Sequence, residues 1–199
     1  MTKNKKNNVD AILLASGFSK RLGFDKLDVR FGKLTLFERT LFLLTNFGFN
    51  KVIVVTKRED LVNYCKKDGF VHVIKNANAN VGQSESIRLG ANASTAPYMM
   101  FFNADQPFLT DQDITLIVDK AEDERIIIPT IDNKRGSPVI FAKKFKQEIM
   151  TLKKEEGGRV LFDKHKDQLK FVELTNKHAF FDIDTIDDLK GLNLQNKYL

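Results

Sequence analysis

The alternation of short apolar runs with amphipathic helical periods is the feature that most constrains how this chain can fold. Residues 9–14 are mostly apolar, as in a buried strand, and in residues 36–47 Phe37, Leu41 and Leu44 fall on one helical face. Strands that alternate with helices build a mostly parallel sheet with helices packed against it. Further strands are predicted at 52–56, 71–74, 98–102, 125–128, 139–141, 169–174 and 180–183, and further helices at 59–67, 84–93 and 145–152 and after Thr110, Gly158 and Thr185. The sequence therefore predicts an α/β fold with a mostly parallel central sheet.

Length and composition favour one domain. The chain has 199 residues, of which 42% are hydrophobic and 29% charged, values that are ordinary for a globular protein. We expect a flexible tail at residues 1–8, a single domain at 9–192 and a C-terminal tail at 193–199. No apolar run approaches the roughly 20 residues of a membrane-spanning helix, and no signal-peptide pattern follows the polar start. A cytoplasmic protein without a membrane partner is therefore expected.

The net charge of +6 favours anionic partners, either nucleic acid or phosphate-bearing small molecules. The lysines are scattered rather than arranged in a stripe, and the aromatic residues include 17 Phe and no Trp, which is typical of core packing rather than base stacking. Nucleic acid is therefore not an expected partner, and a lysine-rich solvated surface also explains the charge. The single cysteine, Cys65, excludes an internal disulfide, and the three histidines lack ligand spacing.

The strongest motif directly follows the first predicted strand. It reads Leu14-Ala15-Ser16-Gly17-Phe18-Ser19-Lys20-Arg21-Leu22-Gly23-Phe24-Asp25-Lys26. Gly17 permits close backbone approach, so that successive N–H groups can hold phosphate oxygens, and Ser19 adds a hydroxyl donor. Arg21 and Lys26 supply positive charge for a polyphosphate. The spacing matches neither a Walker A loop nor G-x-G-x-x-G, which argues against a dinucleotide redox enzyme. A flexible basic loop is the alternative interpretation.

Carboxylates lie at or near the ends of two of the predicted strands. Asp105, in Asn103-Ala104-Asp105-Gln106-Pro107, stands where an α/β enzyme would hold Mg²⁺, because its oxygens are hard ligands and substrate phosphates with waters complete the octahedron. An Asx turn or a helix cap is the alternative for this residue. Asp182 and Asp184 alternate along a predicted strand, so one of them is a candidate second ligand, unless Asp184 merely precedes a capping Thr185.

Two further loops lead into predicted helices. The segment that contains Gly82 and Ser86 offers N–H groups and hydroxyls to a base or ribose, with ordinary helix capping as the alternative. The segment Gly157-Gly158-Arg159 offers N–H groups and a guanidinium as a second anion site.

Together and in this order, these motifs resemble those of the nucleotidyltransferases that act on the molybdenum cofactor, in particular the cytidylyltransferases. Residues 14–26 are similar to the family signature L-A-[AG]-G-x-S-x-R-[ML]-G-x-x-K, and Asp105-Gln106-Pro107 is similar to its second motif. The segments 82–86, 136–139, 157–159 and 182–185 follow in the family's order, so the resemblance covers about residues 9–192.

This resemblance implies a three-layer, Rossmann-like α/β domain and a role for each motif. It implies that a nucleoside triphosphate binds Leu14, Ala15, Ser16, Gly17, Ser19, Arg21, Lys26, Gly82 and Ser86, and that Gly157, Gly158 and Arg159 face the acceptor. It further implies that Arg21, Lys26 and Asp105 act in catalysis, and that Asp105 and Asp184 hold Mg²⁺.

The expected activity is transfer of CMP from CTP to the phosphate of a molybdopterin-type cofactor, with release of pyrophosphate. A molybdenum hydroxylase or its maturation chaperone is a further partner that the resemblance suggests. The alternatives are guanylyl transfer from GTP, nucleotidyl transfer to a sugar or polyol phosphate, and a noncatalytic nucleotide- or cofactor-binding chaperone. Ser16 stands where the cytidylyltransferases usually carry Ala and the guanylyltransferases Gly, and its size predicts a preference for CTP.

Overall fold

The structure, a computed structural model, describes residues 5–17, 24–183 and 188 of the chain. Its strands are β1 (Val9–Ala15), β2 (Arg30–Phe31), β3 (Leu34–Thr35), β4 (Lys51–Thr56), β5 (Val71–Lys75), β6 (Tyr98–Asn103), β7 (Ile126–Ile131), β8 (Lys134–Arg135), β9 (Val139–Ala142) and β10 (Leu169–Glu173). Its α-helices are α1 (Leu36–Phe47), α2 (Glu59–Cys65), α3 (Gln83–Ala93), α4 (Asp111–Val118), α5 (Lys146–Ile149) and α6 (Val160–Lys164). Strands and helices alternate along most of this length, which confirms the predicted α/β class.

The central sheet has the strand order β10-β7-β9-β6-β1-β4-β5. The central strand β1 pairs in parallel with β4 on one side and β6 on the other, and β5 and β10 pair in parallel with β4 and β7. Strand β9 runs antiparallel to both β6 and β7, and β8 forms a hairpin with β7. The sheet is therefore mostly parallel, as predicted. The carboxyl ends of β6, β1 and β4 lie side by side at one end of the sheet.

Helices cover both faces of this sheet because successive strand residues point to opposite sides. In β1, Leu13 belongs to the same buried cluster as Phe37 of α1 and Ile114 of α4. Its neighbour Ile12 belongs to the second cluster, with Ile87 of α3. The core thus consists of two apolar layers on either side of one sheet, the three-layer arrangement that the resemblance implied.

Local sequence signals set the starts of two helices. The hydroxyl of Thr35 accepts a hydrogen bond from the Glu38 N–H, and the Glu38 carboxylate accepts one from the Thr35 N–H, so α1 begins with a complete capping box. Thr110 and Asp113 form the same reciprocal pair at the start of α4, which confirms the helix predicted after Thr110. Gly48 ends α1 in a left-handed conformation with φ of 92°.

Residues 180–183 do not form a strand, and that prediction was wrong. The Phe181 N–H donates to the His178 carbonyl oxygen within a turn, and the Ile183 N–H donates to the Asp105 carbonyl oxygen at 3.3 Å. These two backbone hydrogen bonds go to the segment's own turn and to the loop after β6 instead of to a neighbouring strand. Asp182 therefore does not lie in a strand, and Asp184 lies outside the described residues.

Other predicted segments differ in extent. The helix predicted at 145–152 is a 3₁₀ turn, Lys143–Phe145, followed by the single turn of α5. In the predicted N-terminal tail, Lys5–Asn8 form a 3₁₀ turn, and the Lys5 ammonium donates to the carbonyl oxygens of Asp119 at 2.7 Å and Ala121 at 3.0 Å. This part of the tail is thus attached to the end of α4.

Of the helix predicted after Thr185, the structure describes only Asp188, which is helical. Among the helices that are described, none is long and apolar enough to cross a lipid bilayer.

Candidate active site

The ends of β1 and β4 are tied to each other by side-chain hydrogen bonds. Ala15 and Thr56 are paired in the sheet register, and the Thr56 hydroxyl donates to the Ala15 carbonyl oxygen at 3.0 Å. One residue further on, the hydroxyl of Ser16 donates to the Val55 carbonyl oxygen at 3.2 Å. The loop after β1 therefore begins where hydrogen bonds hold the carboxyl ends of β1 and β4 together, at the place where open α/β sheets bind ligands.

Lys26 and Asp105 form an ion pair at this end of the sheet. Lys26 lies in a 3₁₀ turn, Lys26–Asp28, that Asp25 caps by accepting from the Leu27 N–H at 3.1 Å. Its ammonium donates to Oδ2 of Asp105, which follows the end of β6 by two residues. Both side chains are largely buried, with 17% and 15% of their surface exposed. The two residues that the sequence assigned to phosphate and metal binding are in direct contact.

The carboxylate of Asp105 fits a divalent cation. Its Oδ1 is buried and has no hydrogen-bond partner among the described residues, although the other oxygen is paired with Lys26. A buried, unsatisfied carboxylate oxygen is costly unless a ligand satisfies it, and Mg²⁺ and Mn²⁺ accept such oxygens. Within the described ranges no three His, Cys, Asp or Glu side chains form a metal-binding group. Asp184, the second predicted ligand, lies outside those ranges.

Two contacts hold the turn that carries Asp105. The buried Gln106 accepts a hydrogen bond from the Ser137 hydroxyl at 3.0 Å, and Ser137 in turn accepts one from the Asn103 side-chain amide at 3.3 Å. On the other side, Nε of Arg39 donates to the Pro107 carbonyl oxygen at 2.7 Å. Burial lowers the pKa of Arg39. Ser137, which precedes β9, and Arg39 of α1 thus hold the Asp-Gln-Pro motif from two sides.

Gly82 permits a second loop to lie on the first turn of α3. Its φ of 126° is a left-handed value, and a Cβ atom there would lie 2.3 Å from the Lys154 carbonyl oxygen. That carbonyl oxygen accepts a hydrogen bond from the Ser84 N–H at 3.1 Å. The segment 153–159 therefore covers the beginning of α3 with its own backbone, an approach that any side chain at position 82 would block.

The predicted acceptor residues lie in this covering segment. A Cβ at Gly157 would be 3.1 Å from Oε1 of Gln83, and one at Gly158 would be 2.8 Å from the ring of Phe141. Both glycines thus serve close packing, while Arg159 is exposed. Their contact with an acceptor remains a prediction.

The other predicted nucleotide-binding residues differ in their surroundings. Leu14 is half-buried, Ala15 and Ser16 are buried, and Gly17 is exposed at the edge of the sheet. Ser86 is buried and accepts a hydrogen bond from the Asn76 side-chain amide at 2.9 Å, so its hydroxyl joins α3 to the end of β5. The two remaining predicted residues, Ser19 and Arg21, lie outside the described residues.

Arg58 and Asn76 were not predicted, although both lie just beyond the carboxyl ends of strands. The Asn76 N–H donates to the Thr56 carbonyl oxygen at 2.8 Å, and Arg58 contacts the turn that carries Lys26. Hydrogen bonds with Asp60 and Asp28 raise the pKa of Arg58. Their sequence signal is their position just after β4 and β5, because open α/β sheets bind ligands beyond the carboxyl ends of their strands.

This fold and site define the protein's class: it is a nucleotidyltransferase. Residues 11–169 match the family model described as the MobA-like NTP transferase domain. The chain therefore belongs to the MobA-like NTP transferase family.

Individual relatives are similar along nearly their whole length. A protein of Natranaerobius thermophilus named "Probable molybdenum cofactor guanylyltransferase" is 25% identical over 198 residues, which cover 92% of this chain and 94% of that protein. A nucleotidyl transferase from Methanothermobacter superposes with a TM-score of 0.82 at 20% identity, covering 97% of this chain and 100% of the other. A Mycobacterium tuberculosis protein in complex with manganese superposes with a TM-score of 0.78 at 19% identity, covering 93% and 97% of the two chains.

Proposed function

We propose that this protein transfers GMP from GTP to the terminal phosphate of a molybdopterin-type cofactor and releases pyrophosphate, in a reaction that requires a divalent metal. The observation that carries the chemistry is the pairing of Lys26 with Asp105, whose other carboxylate oxygen is buried and unsatisfied. The relative named as a guanylyltransferase supports the choice of acceptor and of nucleotide.

In this reaction an oxygen of the acceptor phosphate attacks the α-phosphorus of the nucleotide. The bond between that phosphorus and the oxygen bridging to the β-phosphate breaks, and its electron pair leaves with pyrophosphate. The acceptor phosphate is already a nucleophile, so a Ser-His-Asp triad is not required. Positioning of the two substrates and neutralisation of the charge that builds on pyrophosphate are the main tasks of the site.

Lys26 and Asp105 divide these tasks. The Lys26 ammonium exchanges its contact with Asp105 for the phosphates and neutralises charge on the leaving group. Asp105 would hold the divalent metal through its oxygens, with Asp184 as the proposed second ligand, and a metal bound there would polarise the phosphate oxygens. The manganese complex of the structurally similar Mycobacterium protein supports a divalent ion, and Mg²⁺ is the ion we propose.

The remaining predicted residues take roles at the two substrates. Arg21 and Ser19 contact the triphosphate together with the backbone at Gly17. The segment that contains Gly158 and Arg159 faces the phosphate of the acceptor.

The nucleobase is assigned to guanine instead of the cytosine that the size of Ser16 predicted. The hydroxyl of Ser16 donates to the Val55 carbonyl oxygen, and the side chain is buried against β4. Because the side chain points into the sheet edge, its volume is a poor measure of the space available for a base. The size of the Ser16 side chain therefore does not favour CTP, and the named relative favours GTP.

The decisive experiment measures pyrophosphate release from each of the four nucleoside triphosphates with Mg²⁺ and purified molybdopterin cofactor. The highest kcat/KM with GTP supports the proposal, and the highest value with CTP restores the cytidylyl assignment. Turnover with a sugar or polyol phosphate but not with the cofactor would refute the acceptor. Nucleotide or cofactor binding without any turnover would indicate a noncatalytic carrier.

A further inference from the structure

Arg58 lies two residues beyond the end of β4 and contacts three carboxylates at once. Its Nη1 and Nη2 each lie 2.8 Å from an oxygen of Asp28, and its Nε lies 3.1 Å from Oδ1 of Asp60 while Nη2 pairs with the other oxygen. Nη1 is also 3.2 Å from Oδ2 of Asp25. Two bidentate pairs set the orientation of the planar guanidinium, which a lysine ammonium cannot reproduce. The Arg58 side chain is only 20% exposed, whereas the carboxylates of Asp28 and Asp60 are 56% and 63% exposed, so solvent partly screens these contacts.

Two of the three carboxylates belong to the turn that carries Lys26. Asp25 precedes Lys26 and caps the turn, and Asp28 is its last residue. Between them, Leu27 is buried in the core beneath α1. The turn is therefore held at its inner side by the buried leucine and at its outer side by Arg58, and Lys26 extends from it toward Asp105.

Arg58 is itself hydrogen-bonded to the carboxyl end of β4. Its N–H donates to the Thr56 hydroxyl oxygen at 3.2 Å, and that hydroxyl donates to the Ala15 carbonyl oxygen at 3.0 Å. A continuous set of contacts thus runs from the paired ends of β1 and β4 through Arg58 to the turn and to Lys26.

We propose that Arg58 is a positioning residue, which keeps the ammonium of Lys26 at the phosphate-binding position by attaching the 25–28 turn to the end of β4. The inference rests on the proposed function only in that Lys26 binds nucleotide phosphates. Arg58 acts through Lys26 and does not touch the reacting atoms.

A double-mutant cycle tests this inference. The dissociation constant of Mg·GTP is measured by calorimetry for the unaltered chain, Arg58→Ala, Lys26→Ala and the double variant, with far-UV circular dichroism as a check of folding. We expect Arg58→Ala to weaken binding about tenfold when Lys26 is present and less than about twofold in the Lys26→Ala background. Arg125→Ala is the matched control, because this arginine lies at the amino end of β7, whereas the candidate site lies at the carboxyl ends of the strands. It should bind Mg·GTP like the unaltered chain.

Two conservative variants separate positioning from charge. Arg58→Lys keeps the positive charge but loses the bidentate pairs, and should recover less than half of the lost affinity on a logarithmic scale. Asp28→Asn removes one bidentate pair without a change in volume, and should weaken binding only when Arg58 is present. It also replaces Arg58→Ala in the cycle if that variant does not fold.

Each outcome decides the inference. An equal loss of affinity in both Lys26 backgrounds would overturn it, because an effect of charge alone is additive, and full recovery by Arg58→Lys would overturn it as well. If the unaltered chain binds Mg·GTP but releases no pyrophosphate with the cofactor, the proposed function fails while the binding cycle still decides the role of Arg58. Absence of nucleotide binding by the unaltered chain would overturn both.

Discussion

Two halves of the candidate site, on opposite faces of the sheet, are held together in different ways. On the α1 face, the charged half (residues 25–28, 56–60 and 105) is joined by ion pairs of Lys26 and Arg58 with aspartates, above all Lys26 with Asp105. On the α3 face, the glycine half (residues 82–86 and 153–159) is joined by close backbone contacts, above all at Gly82, where a Cβ would meet the Lys154 carbonyl oxygen.

This contrast predicts where each kind of substitution should act. Ion pairs respond to changes of charge, to salt and to competing ions, and they leave the fold mostly unchanged. Close backbone contacts respond to added volume, and they affect stability before they affect chemistry. We therefore expect the charged half to control metal and phosphate binding, and the glycine half to control the shape of the site.

Asp105→Asn should produce the largest effect, and it tests whether the charged half holds the metal. The amide preserves the volume of the side chain but loses the negative charge, so kcat should fall by about 100-fold or more, equivalent to about 3 kcal/mol of transition-state stabilisation. The measurement is pyrophosphate release over a range of Mg²⁺ concentrations, with thermal unfolding as the check of folding. Turnover close to that of the unaltered chain at limiting Mg²⁺ would refute the metal assignment.

Gly82→Ala tests the glycine half. The new Cβ meets the Lys154 carbonyl oxygen and the backbone keeps a left-handed φ, so the free energy of unfolding should fall by about 2–3 kcal/mol. Denaturant unfolding measures the loss. Gly69→Ala is the control, because a Cβ there meets nothing within 4 Å, and its stability should stay within about 0.5 kcal/mol of the unaltered chain. Equal stabilities for the two variants would show that the approach of residue 154 is not a constraint.

Lys26→Ala examines the charged half without nucleotide. The ammonium competes with a divalent cation for the Asp105 carboxylate, so its removal should raise the affinity for Mn²⁺ alone by about threefold to tenfold. The Mn²⁺ signal in electron paramagnetic resonance titrations reports this affinity directly. Lys170→Ala, which removes an exposed ion pair with Glu122, is the control. An unchanged or weaker Mn²⁺ affinity in Lys26→Ala would contradict the competition.

Ser16→Ala should have the smallest effect, and it tests whether the side chain just after β1, between the two halves, contributes to recognition of the base. The variant loses one buried hydrogen bond to the Val55 carbonyl oxygen, which should lower the free energy of unfolding by about 1 kcal/mol. Because that hydroxyl points into the sheet edge, the ratio of kcat/KM for GTP to that for CTP should stay within about twofold of its original value. A change of tenfold or more in this ratio would place the Ser16 side chain in base recognition.

Most of the fold could be predicted from the sequence because its signals are local. The apolar runs of β1, β4 and β6 and the reciprocal caps at Thr35 and Thr110 depend on residues within a few positions of one another. The prediction failed at residues 180–183, where a run rich in aromatic residues had the composition of a strand. Its hydrogen bonds go to its own turn and to Asp105, which no local pattern indicates.

The class of fold, the loop after the first strand and the candidate residues Lys26 and Asp105 follow from the sequence alone, because periodicity and motif spacing are properties of short segments. The tertiary contacts add that these two residues pair although 79 positions separate them, that Arg58 contacts the turn that carries Lys26, and that Gly82 admits a second loop. These contacts arise from the order of the strands. Because β6, β1 and β4 are neighbours, three loops that are distant in sequence leave the sheet at one edge, and the distances between their side chains follow from that packing.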